Sequence, residues 1–277
     1  MSFAALLETL NSVIWSPALV FLCLAVGVYF TLTTLFLQVR CLPDMMRQIV
    51  SNKKSGSGVS SFESLMISLA GRVGVGNIAG VATAIAFGGP GAVFWMWAVA
   101  LLGSATSFIE CTLAQIYKEK DRDTGEYRGG PAYYIEKAYK HTRVGKFMLV
   151  YAVVFAVAMM LATSYFLPGI QANGVAAAMH NAWGTDVRIS AVVLGILLAV
   201  IIMGGVRRIA NFASLVVPLM AVVYILASIV IMFVNFDRID DVFSLIFRSA
   251  FDQEAMFSGM LGAAIMWGVK RGIYSNE

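Results

Sequence analysis

Long apolar runs, separated by short polar breaks, constrain the fold of this sequence more than any other feature. A helix needs about 20 predominantly apolar residues to cross the hydrocarbon core of a bilayer. Runs of this kind lie at residues 17–37, 63–87, 91–117, 146–179, 187–205, 210–234 and 255–269. The pattern predicts an all-α integral membrane protein with about seven spans.

The composition excludes most other classes of protein. Apolar residues make up 59% of the 277 residues and charged residues 13%, whereas soluble domains average about half and about a quarter. This excludes a soluble enzyme, a disordered linker or a nucleic-acid binder, despite a formal net charge of +4. The cysteines and histidines are isolated, and the spans hold no nucleophile–base or metal-ligating set. We therefore expect neither enzyme activity nor a bound cofactor.

Two shorter segments carry apolar residues at helical spacing beside polar ones. The first lies within residues 1–16 and the second at residues 239–251. We expect both to form amphipathic helices, the first of them on the membrane surface. The N-terminus lacks the basic start and the cleavage site of a signal peptide, so we expect the first span, 17–37, to be retained.

Basic residues alternate between loops in the manner that sets membrane topology. Most of the 20 lysine and arginine residues follow the first, third, fifth and seventh runs, ending with Lys270 and Arg271. The intervening loops hold only Arg188, Arg238 and Arg248. Because positively charged loops stay in the cytoplasm, the pattern predicts a multi-pass protein of the cell inner (plasma) membrane with an extracytoplasmic N-terminus.

Arg72 and Glu110 are the charges that lie deepest in apolar sequence. Each costs at least about 2.5–3.5 kcal/mol there unless it is paired or hydrated. At 1.5 Å per residue, Arg72 lies about 15 Å and Glu110 about 12 Å from the same membrane face. The matching depths predict an ion pair between adjacent antiparallel helices. The pair has either a purely structural role or the role of a gate in a transport cycle.

Glycines interrupt the second apolar run at Gly71, Gly74, Gly76 and Gly80. Each glycine in a helix interior costs about 0.5–1 kcal/mol relative to alanine, so this segment is predicted to unwind locally. Unwound backbone at bilayer depth is tolerated only where its N–H and C=O groups line a cavity or bind a ligand. Broken helices of this kind form substrate and ion sites in secondary transporters.

A structural interpretation of the same glycines stays open. Gly76 and Gly80 also match the spacing by which small residues let membrane helices pack closely. Close packing does not explain Asn77, whose amide needs partners in the centre of a span. A dinucleotide-binding loop is excluded, because the spacing after Gly76 is wrong and no strand precedes it.

Two further amides interrupt the fourth apolar run. Gln171 and Asn173 follow Pro168, which removes a backbone hydrogen bond and is expected to kink the helix. The two side chains either face the same cavity as Asn77 or hydrogen-bond neighbouring helices.

Several of these segments together resemble one family of transporters. They include Gly-Asn-Ile-Ala-Gly-Val-Ala at 76–82, Gly-Gly-Pro-Gly-Ala-Val-Phe-Trp-Met-Trp at 88–97, Glu110 before Leu-Ala at 113–114, Gly-Gly-Pro-Ala-Tyr-Tyr at 129–134, Gln-Ala-Asn at 171–173 and Lys-Arg-Gly at 270–272. The sequence is similar over essentially its whole length to the alanine/glycine:cation symporters, usually called sodium:alanine symporters.

The resemblance implies the LeuT-type fold of the amino acid–polyamine–organocation superfamily. One extra span, 17–37, would precede a first five-helix repeat at 63–235, and residues 236–277 would hold an extracytoplasmic amphipathic helix and the start of an inverted second repeat. By resemblance, Gly74, Gly76, Asn77, Gly80, Gln171 and Asn173 bind alanine or glycine. The backbone at Val73 and Gly76 is expected to hold Na⁺, with H⁺ as the alternative coupling ion.

The sequence departs from this family in length. Members of the family have about eleven spans, and this chain stops within the motif that follows the first half of its seventh span. We therefore expect a C-terminally truncated member. The alternative to a working symporter is a membrane fragment that inserts but does not transport. The sequence indicates no oligomeric state.

Overall fold

The computed structural model describes residues 3–51, 60–72, 74–123, 125, 127–251 and 260–275. Within these ranges the chain is built of α-helices joined by short connections and one short β-hairpin. The helices before the hairpin are α1 (Phe3–Ile14), α2 (Pro17–Thr33), α3 (Leu37–Arg40), α4 (Leu42–Ser51), α5 (Ser61–Arg72), α6 (Val75–Gly88) and α7 (Gly91–Tyr117).

The hairpin and the remaining helices follow in the same order along the chain. Strands β1 (Glu119–Lys120) and β2 (Tyr127–Arg128) pair antiparallel, with Glu119 opposite Arg128. The helices after them are α8 (Pro131–Tyr139), α9 (Gly145–Leu161), α10 (Leu167–Trp183), α11 (Val187–Ile202), α12 (Gly205–Val234), α13 (Ile239–Phe251) and α14 (Met260–Ser275). The expected short helix at 239–251 is thus confirmed.

The helices confirm an all-α integral membrane protein. Among the described residues, four helical stretches are long and apolar enough to cross a membrane: Asn11–Thr33, Gly91–Tyr117, Gly145–Trp183 and Arg208–Val234. Helices α5 and α6 add a fifth if the two halves form one interrupted span, and α11 is apolar but shorter. The seventh predicted run, 255–269, begins outside the described residues and continues into α14.

Helix α2 ends earlier than the predicted span 17–37. The N–H of Phe36 donates to the Thr31 carbonyl at 2.9 Å, and the N–H of Leu35 donates to the Leu32 carbonyl at 3.1 Å. This is the Schellman pattern of helix termination, which needs a left-handed residue. Leu35 adopts that conformation, with φ of 54°. Glycine usually fills this position, and its absence is why the sequence did not reveal the end of the helix.

The expected kink at Pro168 takes a different form. Helices α9 and α10 join through a π-helical turn, Ala162–Phe166, into one helical stretch of 39 residues, Gly145–Trp183. Proline removes the N–H that an α-helix would need at this point and crowds the carbonyl four residues earlier. A wider π turn placed just before the proline accommodates both effects without ending the helix.

The helices form two compact units, each with its own core. The first unit contains residues 1–43, 76–107 and 221–277, and the second contains residues 44–75 and 108–220. In the first unit Val20, Val99 and Val269 form a buried apolar cluster. In the second unit Met66 of α5 packs against Ala213 and Val217 of α12.

Small residues bring α7 and α14 into close contact within the first unit. Gly268 is buried, and a Cβ added there would lie 2.5 Å from the Ala92 carbonyl oxygen and 2.7 Å from Cβ of Trp95. Trp95 is partly buried against this core and also packs on Phe251, with ring centroids 5.9 Å apart. The Gly-Gly-Pro-Gly turn before α7 thus leads directly into a tightly packed helix pair.

A polar segment between α7 and α9 is held together by Lys137 of α8. The Lys137 ammonium donates to the carbonyl of Tyr117, the last residue of α7, at 2.6 Å. It also pairs with Glu119 of β1 at 2.8 Å. The hydrogen bond and charge of Lys137 lower the pKa of the Glu119 carboxyl below its ordinary value. One cation therefore caps the end of α7 and fixes the start of the hairpin.

Replacing Lys137 by methionine is expected to destabilise this segment. A cation at a helix C-terminus contributes about 0.3–1 kcal/mol, and this one also makes a hydrogen bond. Because the pKa of Glu119 is lowered in the folded chain, its contribution is present at neutral pH and is lost as the pH falls below 4.5. Thermal unfolding in detergent should show the difference between native chain and variant at pH 7 and a smaller difference at pH 3. An equal difference at both pH values would contradict the Lys137–Glu119 pair.

Candidate functional site

The predicted break in the second apolar run is present in the structure. Helix α5 ends at Arg72, Gly74 lies in a bend, and α6 begins at Val75. Val73 lies outside the described residues, so the expectation that its carbonyl holds a cation stays a prediction. The interruption frees backbone groups in a segment that is apolar on both sides. The N–H groups of the first helical turn are the ones that most need partners.

Gln171 of α10 supplies a partner to the first of these groups. Its side-chain oxygen Oε1 accepts a hydrogen bond from the Val75 N–H at 2.9 Å. A Cβ added at Gly74 would lie 2.8 Å from Nε2 of Gln171, so the absence of a side chain at Gly74 permits this approach. Both residues belong to the second unit. The structure thus brings together two residues, Gly74 and Gln171, that the sequence had assigned to one site.

Gly174, one helical turn beyond Gln171, faces the same segment. A Cβ added there would lie 2.6 Å from Cγ2 of Val75. Sequence reasoning missed this glycine, although its three-residue spacing from Gln171 places both on one helical face. Asn173 is two residues from Gln171, about 200° around the helix, and its side chain is exposed. Among the described contacts, the structure does not bring Asn173 to the break.

The first turn of α6 carries the other predicted site residues, and these belong to the first unit. Asn77 is partly buried. The Gly76 carbonyl accepts a hydrogen bond from the guanidinium of Arg271 on α14. The same guanidinium occupies the space that a Cβ at Gly80 would fill. The face formed by Gly76 and Gly80 is therefore packed against a cation.

Arg271 lies in a helix, where the sequence predicted a loop. Lys270 and Arg271 were expected in the loop after the seventh span, but both lie within α14, which continues to Ser275; their expected cytoplasmic side stays a prediction. The physical reason is that a helix tolerates a basic pair where one side chain finds a backbone carbonyl as partner. The signal that identified Arg72, a charge beside apolar sequence, was available for Arg271 as well.

The predicted ion pair between Arg72 and Glu110 is not tested by the structure. The side chain of Arg72 lies outside what the structure describes. Glu110 is an exposed residue of α7 in the second unit. Burial, and secondarily the Glu110 charge, raise the pKa of Tyr134 on α8 above its ordinary value. The carboxylate of Glu110 therefore acts on the start of α8, and its pairing with Arg72 stays a prediction.

Comparison with known proteins places the chain in a family. The model of the sodium:alanine symporter family matches residues 1–277. The chain is 52% identical to a putative sodium/proton-dependent alanine carrier protein, YrbD of Bacillus subtilis, over 99% of the chain and 55% of that protein.

Two more relatives differ from YrbD in the substrate in their name or in their organism. The chain is 44% identical to the probable sodium/glutamine symporter GlnT of Bacillus subtilis, over 96% of the chain and 54% of that protein. It is 42% identical to the sodium/alanine symporter AgcS of Methanococcus maripaludis, over 100% of the chain and 61% of that protein. The chain thus spans somewhat more than half the length of these relatives. Their names describe carriers and symporters rather than enzymes. The chain belongs to the sodium:alanine symporter family.

Proposed function

We propose that this chain carries the substrate site of a secondary transporter that couples sodium entry to uptake of a small neutral amino acid, alanine or glycine. The observation that carries the proposal is the hydrogen bond from the Val75 N–H to Gln171 Oε1 at an interrupted membrane helix. Polar groups are costly in a span, and they are retained where they serve a ligand. The names of the relatives support sodium coupling and alanine as a substrate.

The chemistry of the break suits the carboxylate of an amino acid. A helix N-terminus and the helix dipole both favour a negative charge. Gln171 offers a donor and an acceptor beside the Val75 N–H, and within the second unit Gly74 and Gly174 leave space around them. In the proposed site Asn77 and Asn173 provide further polar contacts. The carbonyls of Val73 and Gly76 coordinate Na⁺, with H⁺ as the alternative ion.

The proposed architecture is the LeuT-type fold. Residues 63–235 form the first repeat after the extra span 17–37, and residues 236–277 begin the second. The interrupted helix α5–α6 and the long helix Gly145–Trp183 support this assignment. The alternation of basic residues supports the plasma membrane and an extracytoplasmic N-terminus. Arg72 and Glu110 form an ion pair in the proposal, either as a structural pair or as a gate.

The second candidate function is that of a membrane polypeptide which inserts but does not transport. The chain covers only 54–61% of the three relatives named above. A polypeptide without the second repeat would insert into the membrane but would not complete a transport cycle. We therefore keep the non-transporting fragment as the alternative.

Uptake by reconstituted protein distinguishes the two functions. Proteoliposomes containing the 277-residue chain should accumulate labelled alanine under an inward Na⁺ gradient and should not do so under a K⁺ gradient. Unlabelled glycine should compete, and glutamine should compete weakly. The Gly74→Val variant, whose side chain would displace Gln171, serves as the inactive control.

Absence of uptake would support the alternative that the chain is a non-transporting fragment. Absence of sodium-dependent uptake by this chain, together with uptake when it is extended by the C-terminal part of the YrbD relative, would support the non-transporting alternative. Accumulation driven equally by a proton gradient in sodium-free buffer would identify H⁺ as the coupling ion.

A further inference from the structure

Arg271 is a cation that lies beside α6, the second half of the interrupted helix. Within the first unit, Gly88 at the end of α6 packs against Trp267, where an added Cβ would lie 2.8 Å from the Trp267 Cβ. Gly80 and Gly76 lie about 12 Å and about 18 Å further along α6. The turn at Gly89 and Pro90 joins the two apolar helices α6 and α7, so Arg271 contacts the end of α6 that lies beside the break.

The guanidinium of Arg271 is held by specific features of α6. It donates to the carbonyl of Gly76, in the first turn after the break. It also fills the space next to Gly80 that any other residue would use for its Cβ. Arg271 itself is partly buried. The carbonyl of Gly76 and the absence of a side chain at Gly80 therefore form a binding site for the Arg271 guanidinium on α6.

We propose that Arg271 is a tethered cation that competes with the coupling sodium ion for the Gly76 carbonyl. This inference rests on the proposed function, in which the same carbonyl coordinates Na⁺. A carbonyl oxygen beside the break is a hard ligand that suits both a guanidinium and a small metal ion. Two positive charges on one oxygen repel strongly in a medium of low dielectric constant. Sodium therefore binds to the Gly76 carbonyl only when the guanidinium leaves it. Binding of the ion breaks this contact between α14 and α6.

The competition between Arg271 and sodium couples sodium binding to a movement of α14. Arg271 lies on α14, which also packs against α7 through Gly268. Displacing the guanidinium from Gly76 frees the C-terminal part of α14 from α6, while the contact at Gly268 holds its other part. Arrival of the ion is thereby converted into a movement of one helix relative to its neighbour.

Sodium binding to variants of the purified chain tests this inference directly. Binding of radioactive ²²Na⁺ to the protein in detergent should reach half-saturation at an about tenfold lower sodium concentration in Arg271→Met than in the native chain. Gly80→Ala should act in the same direction, because a Cβ there expels the guanidinium and leaves its charge in place. Arg248→Met on α13, where the arginine is exposed, removes one positive charge elsewhere and should leave sodium binding unchanged.

Each outcome of this experiment has a clear meaning. Unchanged or weaker sodium binding in Gly80→Ala, and in Arg271→Met where that variant folds, would overturn the competition, since weaker binding would mean that Arg271 positions the carbonyl for the ion. An equal increase in Arg248→Met would also overturn it, because the effect would then reflect overall charge alone. Absence of saturable sodium binding in the unmodified chain would instead contradict the proposed function and would remove this inference with it.

Discussion

Replacing Gln171 by alanine is expected to raise the half-saturating concentration of alanine about tenfold or more. The change removes the amide that the proposed site presents to the carboxylate of the ligand, and a hydrogen bond to a charged group contributes about 1.5–3 kcal/mol. Each 1.4 kcal/mol corresponds to about a factor of ten in affinity. The effect should appear in the affinity for alanine measured by equilibrium binding and in the KM for uptake.

Replacing Gln171 by glutamate separates a structural role from a binding role. The carboxylate still accepts the Val75 N–H and adds a favourable charge at the helix N-terminus, worth about 0.3–1 kcal/mol, so thermal stability should be kept or increased. The same carboxylate repels the carboxylate of an amino acid, so binding of alanine should be lost. Stability and binding would then change in opposite directions.

A matched control lies on the same helix. Asn181 is an exposed amide near the end of α10, and Asn181→Ala should change neither alanine affinity nor stability. If Gln171→Glu bound alanine as the native chain does, Gln171 would be a helix cap only, and the substrate would have to lie elsewhere.

Replacing Gly268 by alanine is expected to destabilise the first unit strongly. The new Cβ would lie 2.5 Å from the backbone oxygen of Ala92, which cannot move without shifting α7. Overpacking of this kind costs about 1–3 kcal/mol. The shift would also separate Val269 from Val99 in the buried cluster. Thermal unfolding in detergent, followed by tryptophan fluorescence, should show a clear loss of stability.

Gly103 on α7 provides the matched control for this substitution. A Cβ added there has no atom of the described residues within 4 Å. Gly103→Ala should therefore be neutral or stabilise the helix by up to about 1 kcal/mol. Equal unfolding behaviour of the two variants would show that α7 and α14 do not pack through Gly268.

Sequence patterns foretold the long helices and the break because both depend on local properties. Apolar runs of sufficient length specify membrane helices wherever they occur, and the confirmed helix Ile239–Phe251 follows from spacing alone. The interruption before Val75 follows from glycine content. The end of α2 was missed, because Leu35 adopts a left-handed conformation that is unusual for leucine.

The partners of the site residues could not be read from the same patterns. Gln171 and Asn173 carry equivalent amides two residues apart, and only the packing of α10 shows that Gln171 contacts the break. Gly174 and Arg271 were overlooked for the same reason. A contact between residues that are far apart in the sequence leaves no recognisable pattern in the sequence around either residue.

The sequence by itself determined that this chain is an α-helical membrane protein with an interrupted span and a set of polar residues near it, since hydrophobicity and glycine content act locally. Only the tertiary structure decided that Gln171 binds the Val75 N–H and that Arg271 occupies the Gly76 carbonyl. Those contacts join residues far apart in the chain, and each gives a backbone polar group a side-chain partner that only the fold brings near it.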